Sequence, residues 1–343
     1  MKTLISTIRR ALADAAARSL AALLPRRLMS AKRHFSLWER HGYHVTPVHY
    51  YEPVPDVKSL PERLWHDPDE LAGIRMNDDS QLALLELLSS RYQLEYAGFP
   101  RESCADPTAF HVHNGWFTAG DVELLYGLIR HLQPKTIIEV GSGYSTQVTS
   151  MAIEANKAEL LDYDCRLISI EPFPRHELLD KCLHPSERIE MPVQEVPLYL
   201  FQELSPNDIL FIDSSHVAKC GSDVNHEFFR IIPSLAPGVL VHLHDIFLPF
   251  EYPHSWIKDR RLFWNEQYLL RAFLTFNNHF EVVWAANYVN QIHPQRLKAA
   301  FSSLRPDDQP SSFWMRCIGR AAAARLSFPS NTETPANRGQ RLA

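Results

Sequence analysis

The hydrophobic positions of this chain alternate between two rhythms. Short, continuously apolar runs occur at 136–140, 166–171, 208–213 and 238–244, and each carries an acid at or just past its end: Glu139, Glu171, Asp213 and Asp245. Runs of this length without polar alternation predict central parallel strands buried on both faces. Between and before them the apolar spacing turns helical, over 119–132, 145–157 and, most clearly, 221–232. Upstream, 79–93 predicts another helix, with Leu82, Leu84, Leu85, Leu87 and Leu88 on one broad core-facing side and Ser80 as its cap. Strands alternating with helices imply right-handed βαβ units in a doubly wound sheet. In such sheets ligands sit outside the carboxyl ends of the strands. Glu139, Glu171, Asp213, His216, His244 and Asp245 should therefore share one rim.

The turn after the first run carries the densest chemical pattern. Gly141 and Gly143 let the backbone bend sharply behind Glu139, and a helix is expected to begin at Ser145 or Thr146. The N-terminus of that helix offers unpaired N–H groups to a ligand. A tight turn in an ordinary α/β domain would use the same two glycines. Dinucleotide enzymes place a third glycine where this chain has Thr146. Glu171 follows Gly141 by 30 residues, at the end of the second strand, where a carboxylate can accept both ribose hydroxyl protons.

The pattern Glu139-x-Gly141-x-Gly143 resembles motif I of the class I S-adenosylmethionine (SAM) methyltransferases. The run Asp-Ile-Leu-Phe-Ile-Asp-Ser-Ser-His at 208–216 looks like the fourth-strand motif of small-molecule O-methyltransferases of that family. The likeness covers about residues 115–317. It implies an α/β, Rossmann-like, doubly wound, seven-stranded and mostly parallel sheet, with 280–289 and 312–317 as two antiparallel edge strands. It also implies SAM as cofactor, contacted by Glu139, Gly141, Ser142, Gly143, Tyr144, Ser145, Glu171 and Asp213. The implied activity is methyl transfer to a hydroxyl of a small molecule, such as a sugar or a natural-product intermediate. Two other readings stay open. One is an NAD(P)-dependent oxidoreductase on a related sheet, disfavoured by Thr146 and by the lack of a Tyr-x-x-x-Lys set. The other is a non-catalytic scaffold of the same fold.

Methyl transfer to a hydroxyl needs alignment and a base near neutral pKa. His216, three residues past Asp213, is the expected base, with Asp213 and His244 as further catalytic groups. Some relatives hold a divalent cation at the two strand-end acids, here Asp213 and Asp245, with His216 as partner. Mg2+ would favour oxygen ligands. His244 stands where metal-using relatives often carry a carboxylate or amide, so it could ligate a softer ion or act as the base itself. A zinc site would need three or four closely set ligands. The loop 247–256, with two prolines and four aromatics, is an expected acceptor wall. Polar groups of 264–268 could face the same pocket, and His111, His113, Trp116 and Phe117 form another expected wall.

Charge and composition then sort the remainder. The chain of 343 residues has a formal charge of −5 and no basic stripe interleaved with aromatics, which argues against a nucleic-acid partner. Its five cysteines lack a Cys-x-x-Cys pair and read as reduced thiols in a cytoplasmic protein. Residues 1–33 carry eight Lys/Arg and one acid, leaving 27 basic and 39 acidic residues elsewhere. Ile5, Ile8, Leu12, Ala15, Leu20, Leu23 and Leu24 there mostly follow helical spacing. Such a helix would dock on the domain or a partner subunit, or lie peripherally on an anionic membrane face. The expected organisation is a basic helical extension at 1–33, a mixed cap at 34–114, the SAM-binding domain at 115–326 and a disordered tail at 327–343.

Overall fold

The structure is a computed structural model that describes residues 2–23, 34–184 and 186–319. The tail expected at 327–343, and the part of the extension beyond Leu23, lie outside the described residues. Two compact units are present. One comprises Met1–Pro68 with Phe250–Phe263, the other Asp69–Pro249 with Trp264–Ala343.

The second unit is built on a seven-stranded sheet: β1 (Thr136–Val140), β2 (Arg166–Ile170), β3 (Glu187–Ile189), β4 (Ile209–Ile212), β5 (Leu240–Leu243), β6 (Phe280–Ala285) and β7 (Phe313–Cys317). The order across the sheet is β3-β2-β1-β4-β5-β7-β6. The first five strands are parallel, and β7 pairs antiparallel with both β5 and β6. β4 and β5 are buried at every position, as continuous apolar runs require. Alternate residues feed the two faces: Ile137, Leu167, Ile209 and Leu240 enter one core cluster, and Ile138, Ile168, Leu210 and Val241 the other. Asp208 fixes the start of the central strands by accepting the N–H groups of Lys135, Thr136 and Ser205 at 2.8–3.0 Å. The strand order reverses between β1 and β4, so the ligand crevice of this topology falls at their carboxyl ends.

Several elements differ from the sequence expectation. The edge strand expected over 280–289 stops at Ala285, and Ala286–Ile292 coils into a helix that buries Ala286 and Val289. β7 is an inner strand rather than an edge. The helix expected over 221–232 is an α-turn at Asp223–His226, a π-turn at Glu227–Ile231 and a 3-10 turn at Ile232–Ser234. Pro233 has no N–H to donate and its ring crowds the preceding turn, so the helix cannot run on. The upstream helix spans Asp78–Tyr96 and begins at Asn77, whose φ is +56° and whose side chain donates to the Val282 carbonyl at 2.9 Å. Ser80 therefore lies inside the helix and is not its cap. Leu85, Leu88 and Tyr96 join the same buried cluster as β1. This helix accordingly belongs to the second unit.

In the first unit, Trp65 donates to the Tyr252 carbonyl at 2.9 Å, and Lys258 sits 5.0 Å over the Trp65 ring while bonding Glu62 at 2.8 Å. Among the described residues no helix is long and apolar enough to cross a membrane.

Candidate active site

The turn after β1 is locked from within. Gly141 takes φ +92°, and a Cβ there would stand 2.2 Å from the Asp213 carbonyl oxygen. Only glycine allows β1 and β4 to end this close together. The Gly141 N–H donates to Ile170 O and the Asp213 N–H to Val140 O. The helix that follows starts at Tyr144 and runs to Glu159. Glu139, 1% exposed, receives Ser145 Oγ and Thr146 Oγ1, each at 2.6 Å, on its two carboxylate oxygens. Thr146 Oγ1 in turn accepts the Gly143 N–H at 2.9 Å. The residue that replaces a dinucleotide glycine thus ties the turn to its strand. Gly143 itself faces open space, with Arg175 Nη2 as the nearest atom at 4.0 Å from an added Cβ.

The ends of β4 and β5 are built differently. His216 and Asp245 are non-glycine residues in left-handed backbone, at φ +59° and +57°, a conformation that costs about 1–3 kcal/mol and clusters at functional sites. The 214–218 loop is clamped to the start of the Glu266–Leu274 helix. His216 O accepts the N–H groups of Asn265 and Glu266, and Ala218 N–H donates to Asn265 Oδ1. The His216 ring tilts against Trp264 at 4.4 Å between centroids. Its Nδ1 meets Glu266 Oε2 at 2.8 Å, and its Nε2 faces Asp213 Oδ1 at 3.3 Å and Asp245 Oδ2 at 3.5 Å. Ligand atoms of Asp213, His216 and Asp245 all lie within 4.8 Å of one another. Next to them His244, 3% exposed, places Nε2 3.9 Å from Asp245 Oδ1, while its Nδ1 has no hydrogen-bond partner among the described residues.

Electrostatics follow from this crowding. Burial alone would lower the His216 pKa, but hydrogen bonds to Asp213 and Glu266 and their charges reverse it and hold the imidazolium well above its ordinary range. His244 is buried too, and the charges of Asp245, Asp213 and Asp121 still raise it. Burial raises Asp245 and Glu266 against the pull of the nearby histidines. Burial would also raise Asp213, yet His244 and His216 outweigh it and keep this carboxylate ionised. Carboxylates thus hold the His216 ring from both sides, with Nδ1 on Glu266 and Nε2 toward Asp213 and Asp245.

Turn and cluster open into one cleft of about 600 Å³, within the size range of small-molecule sites. Ser142, Gly143, Tyr144, Ser145, Glu171, Asp213, His216, His244 and Asp245 all line it. Glu139 does not; its oxygens are taken by the turn, so it shapes the cofactor cradle without facing it. Gly141 likewise works by close approach to β4. Glu171 reaches the cleft from the end of β2, with Oε1 accepting the Phe173 N–H at 2.8 Å. The aromatic walls are Trp116, Phe117, Phe173 and Trp264. Of the loop expected as a wall, Phe247 and Leu248 belong to this unit and are buried rather than lining the cleft. His111 packs edge-on to Tyr144 at 5.8 Å. Asp121 and Arg175 escaped the sequence-based site, and Glu266 was expected near the pocket only as one of the polar groups of 264–268, without its histidine partner. Glu266 lies 50 residues from the histidine it holds, and Asp121 accepts the N–H groups of Ser311 and Ser312 from the far end of the domain. Neither spacing carries a local signal. Arg175, 5.0 Å over Trp116, is marked only by following Glu171 in the same loop.

The chain is similar to several known proteins. Residues 138–246 match the family described as a methyltransferase domain. An uncharacterized protein of Archaeoglobus fulgidus is 31% identical over 171 residues, covering 48% of this chain and 75% of that protein. Among solved structures, the plantazolicin methyltransferase BpumL, in complex with a triazolic desmethylPZN analog and SAH, is similar at 8% identity and a TM-score of 0.36, over 71% of this chain and 97% of that one. With the domain match spanning β1 to β5, the glycine turn and strand acid in place and the 3-2-1-4-5-7-6 sheet, residues 138–246 carry a class I SAM-dependent methyltransferase domain.

Proposed function

We propose that this methyltransferase moves the sulfonium methyl of SAM to a hydroxyl of a small polar molecule, with a divalent cation held by Asp213, Asp245 and His216. The observation that carries the proposal is the convergence of those three ligand atoms within 4.8 Å, on the same cleft as the open glycine turn. The 141–145 turn and Glu171 hold the cofactor, the carboxylate accepting from the ribose hydroxyls and Gly143 leaving room for close approach. Two carboxylates and one imidazole, with Glu266 accepting from the other ring nitrogen, form a donor set suited to Mn2+ or a similar ion. Bound there, such a cation would lower the pKa of an acceptor hydroxyl. His244, which lines the cleft with Nε2 3.9 Å from Asp245 Oδ1, is the candidate group to take that proton. The acceptor oxygen forms its bond to the methyl carbon, the sulfur–carbon bond breaks, and S-adenosylhomocysteine leaves. Trp116, Phe117 and Trp264 exclude water and align the acceptor.

The test is calorimetric titration with S-adenosylhomocysteine and with Mn2+, on the native chain and two variants. Glu171→Ala should weaken S-adenosylhomocysteine about 10–100-fold, the loss of a charge-assisted hydrogen-bond pair, and leave Mn2+ unaffected. Asp245→Asn should do the reverse. Unchanged cofactor affinity in Glu171→Ala would place the cofactor elsewhere. Unchanged Mn2+ affinity in Asp245→Asn would remove the metal from this site.

A further inference from the structure

We infer that the Lys2–Leu23 helix is an in-plane anchor for an anionic lipid surface. The inference stands apart from the catalytic proposal. The helix runs 22 residues, about 33 Å at the α-helical rise, and every side chain from Ile8 to Ala22 is exposed. Ile8, Leu12 and Leu20 are 52%, 66% and 55% exposed, whereas Leu85 and Leu88 of the Asp78–Tyr96 helix are 2% and 0%. Projected at 3.6 residues per turn, Ile8, Leu12 and Ala15 form one stripe. Arg9 and Arg18 fall on its two edges, and Arg10 and Asp14 lie behind it. An apolar stripe edged by arginines suits a helix half-sunk at the headgroup level, where the guanidinium stems reach outward to phosphates.

Charge selects the occupant. Residues 1–33 hold eight Lys/Arg and one acid, while the remaining chain holds 27 basic and 39 acidic residues. The acidic remainder would be repelled by an anionic bilayer, and this segment carries the strongest complementary charge, eight Lys/Arg against one acid. A second copy of the helix fits less well, because pairing the stripes would bring the flanking arginines of both copies together. Arg9, Arg10 and Arg18 also deny the segment the uninterrupted apolar length needed to span.

The test is flotation of the full chain with vesicles of phosphatidylcholine alone and of phosphatidylcholine with 30% phosphatidylglycerol. The native chain should bind the anionic vesicles at least tenfold better, and 0.5 M NaCl should weaken this binding severalfold. Neutralising Arg9, Arg10 and Arg18 to Gln should reduce it about a hundredfold, at about fivefold per basic side chain. Leu12→Asp should reduce it about tenfold or more. S-adenosylhomocysteine titration of each variant should match the native chain, since none of these residues joins a core. Equal binding to neutral vesicles, no binding to either, or a dimer in light scattering that Leu12→Asp abolishes would each overturn the inference.

Discussion

The two halves of the cleft handle buried charge in opposite ways. After β1, the buried carboxylate of Glu139 has a hydroxyl donor on each oxygen, and one donor also caps the backbone of Gly143. After β4 and β5, Asp213, Asp245 and Glu266 converge on a single imidazole, and His244 Nδ1 and Glu266 Oε1 have no hydrogen-bond partner among the described residues. The Glu139 carboxylate has spent its polar capacity on the turn's own geometry, so the turn is presented rigidly to a ligand, with Ser142 Oγ there lacking a partner among the described residues. The second retains capacity and carries two left-handed residues. Buried groups left unpaired are costly, and they persist where a ligand completes them. A carboxylate in a motif is therefore not evidence of ligand contact until its own partners are counted.

This contrast can be broken experimentally. The largest effect is expected at Gly141→Ala. The added Cβ meets a backbone carbonyl at 2.2 Å and demands a positive φ, which should cost about 3 kcal/mol or more. Thermal unfolding should show a drop of many degrees, and a near-native midpoint would mean the turn is not rigid. In the cluster, Asp213→Asn should instead lower Mn2+ affinity by at least a hundredfold while shifting stability by less than about 1 kcal/mol. A variant that unfolds would make the cluster structural, like the turn.

Smaller effects sharpen the difference. Glu266→Gln should weaken Mn2+ by about 10–100-fold through loss of the carboxylate behind His216, with S-adenosylhomocysteine affinity unchanged in the same calorimeter. Glu139→Gln should cost about 1 kcal/mol at pH 5 and less at pH 8. Burial raises the folded Glu139 to about 7, above its unfolded value, so the native chain binds a proton that the unfolded chain has released. Native stability thus declines from pH 4.5 through 7, and the glutamine variant does not share that decline. Midpoints measured across this range should converge as pH rises; a widening gap would mean Glu139 is ionised when folded.

Much of the first region was legible along the chain. β1, its glycines and the helix behind them are contiguous, and Glu171 is held to them by the parallel β1–β2 register. Continuous apolar runs announced strands buried on both faces, and the acids after β2, β4 and β5 marked the rim. The wall of the cleft was less legible. The proline-rich 247–256 run has the composition of an acceptor loop, yet its large residues Phe247 and Tyr252 are buried. The role of Glu139 was also misplaced, because a motif gives a residue's position and not the hydroxyls that occupy it.

The sequence by itself determined the βαβ alternation, the glycine bend and the set of strand-end acids, because these depend on periodicity and on neighbours a few residues apart. Only the tertiary structure decided which acids act on which histidine. The strand order 3-2-1-4-5-7-6 brings Asp213 and Asp245 together through β4 and β5, and a helix start 50 residues downstream delivers Glu266 to the far side of His216. Electrostatic coupling falls with distance in space, and distance in space between such segments is set by the sheet and not by the spacing of letters.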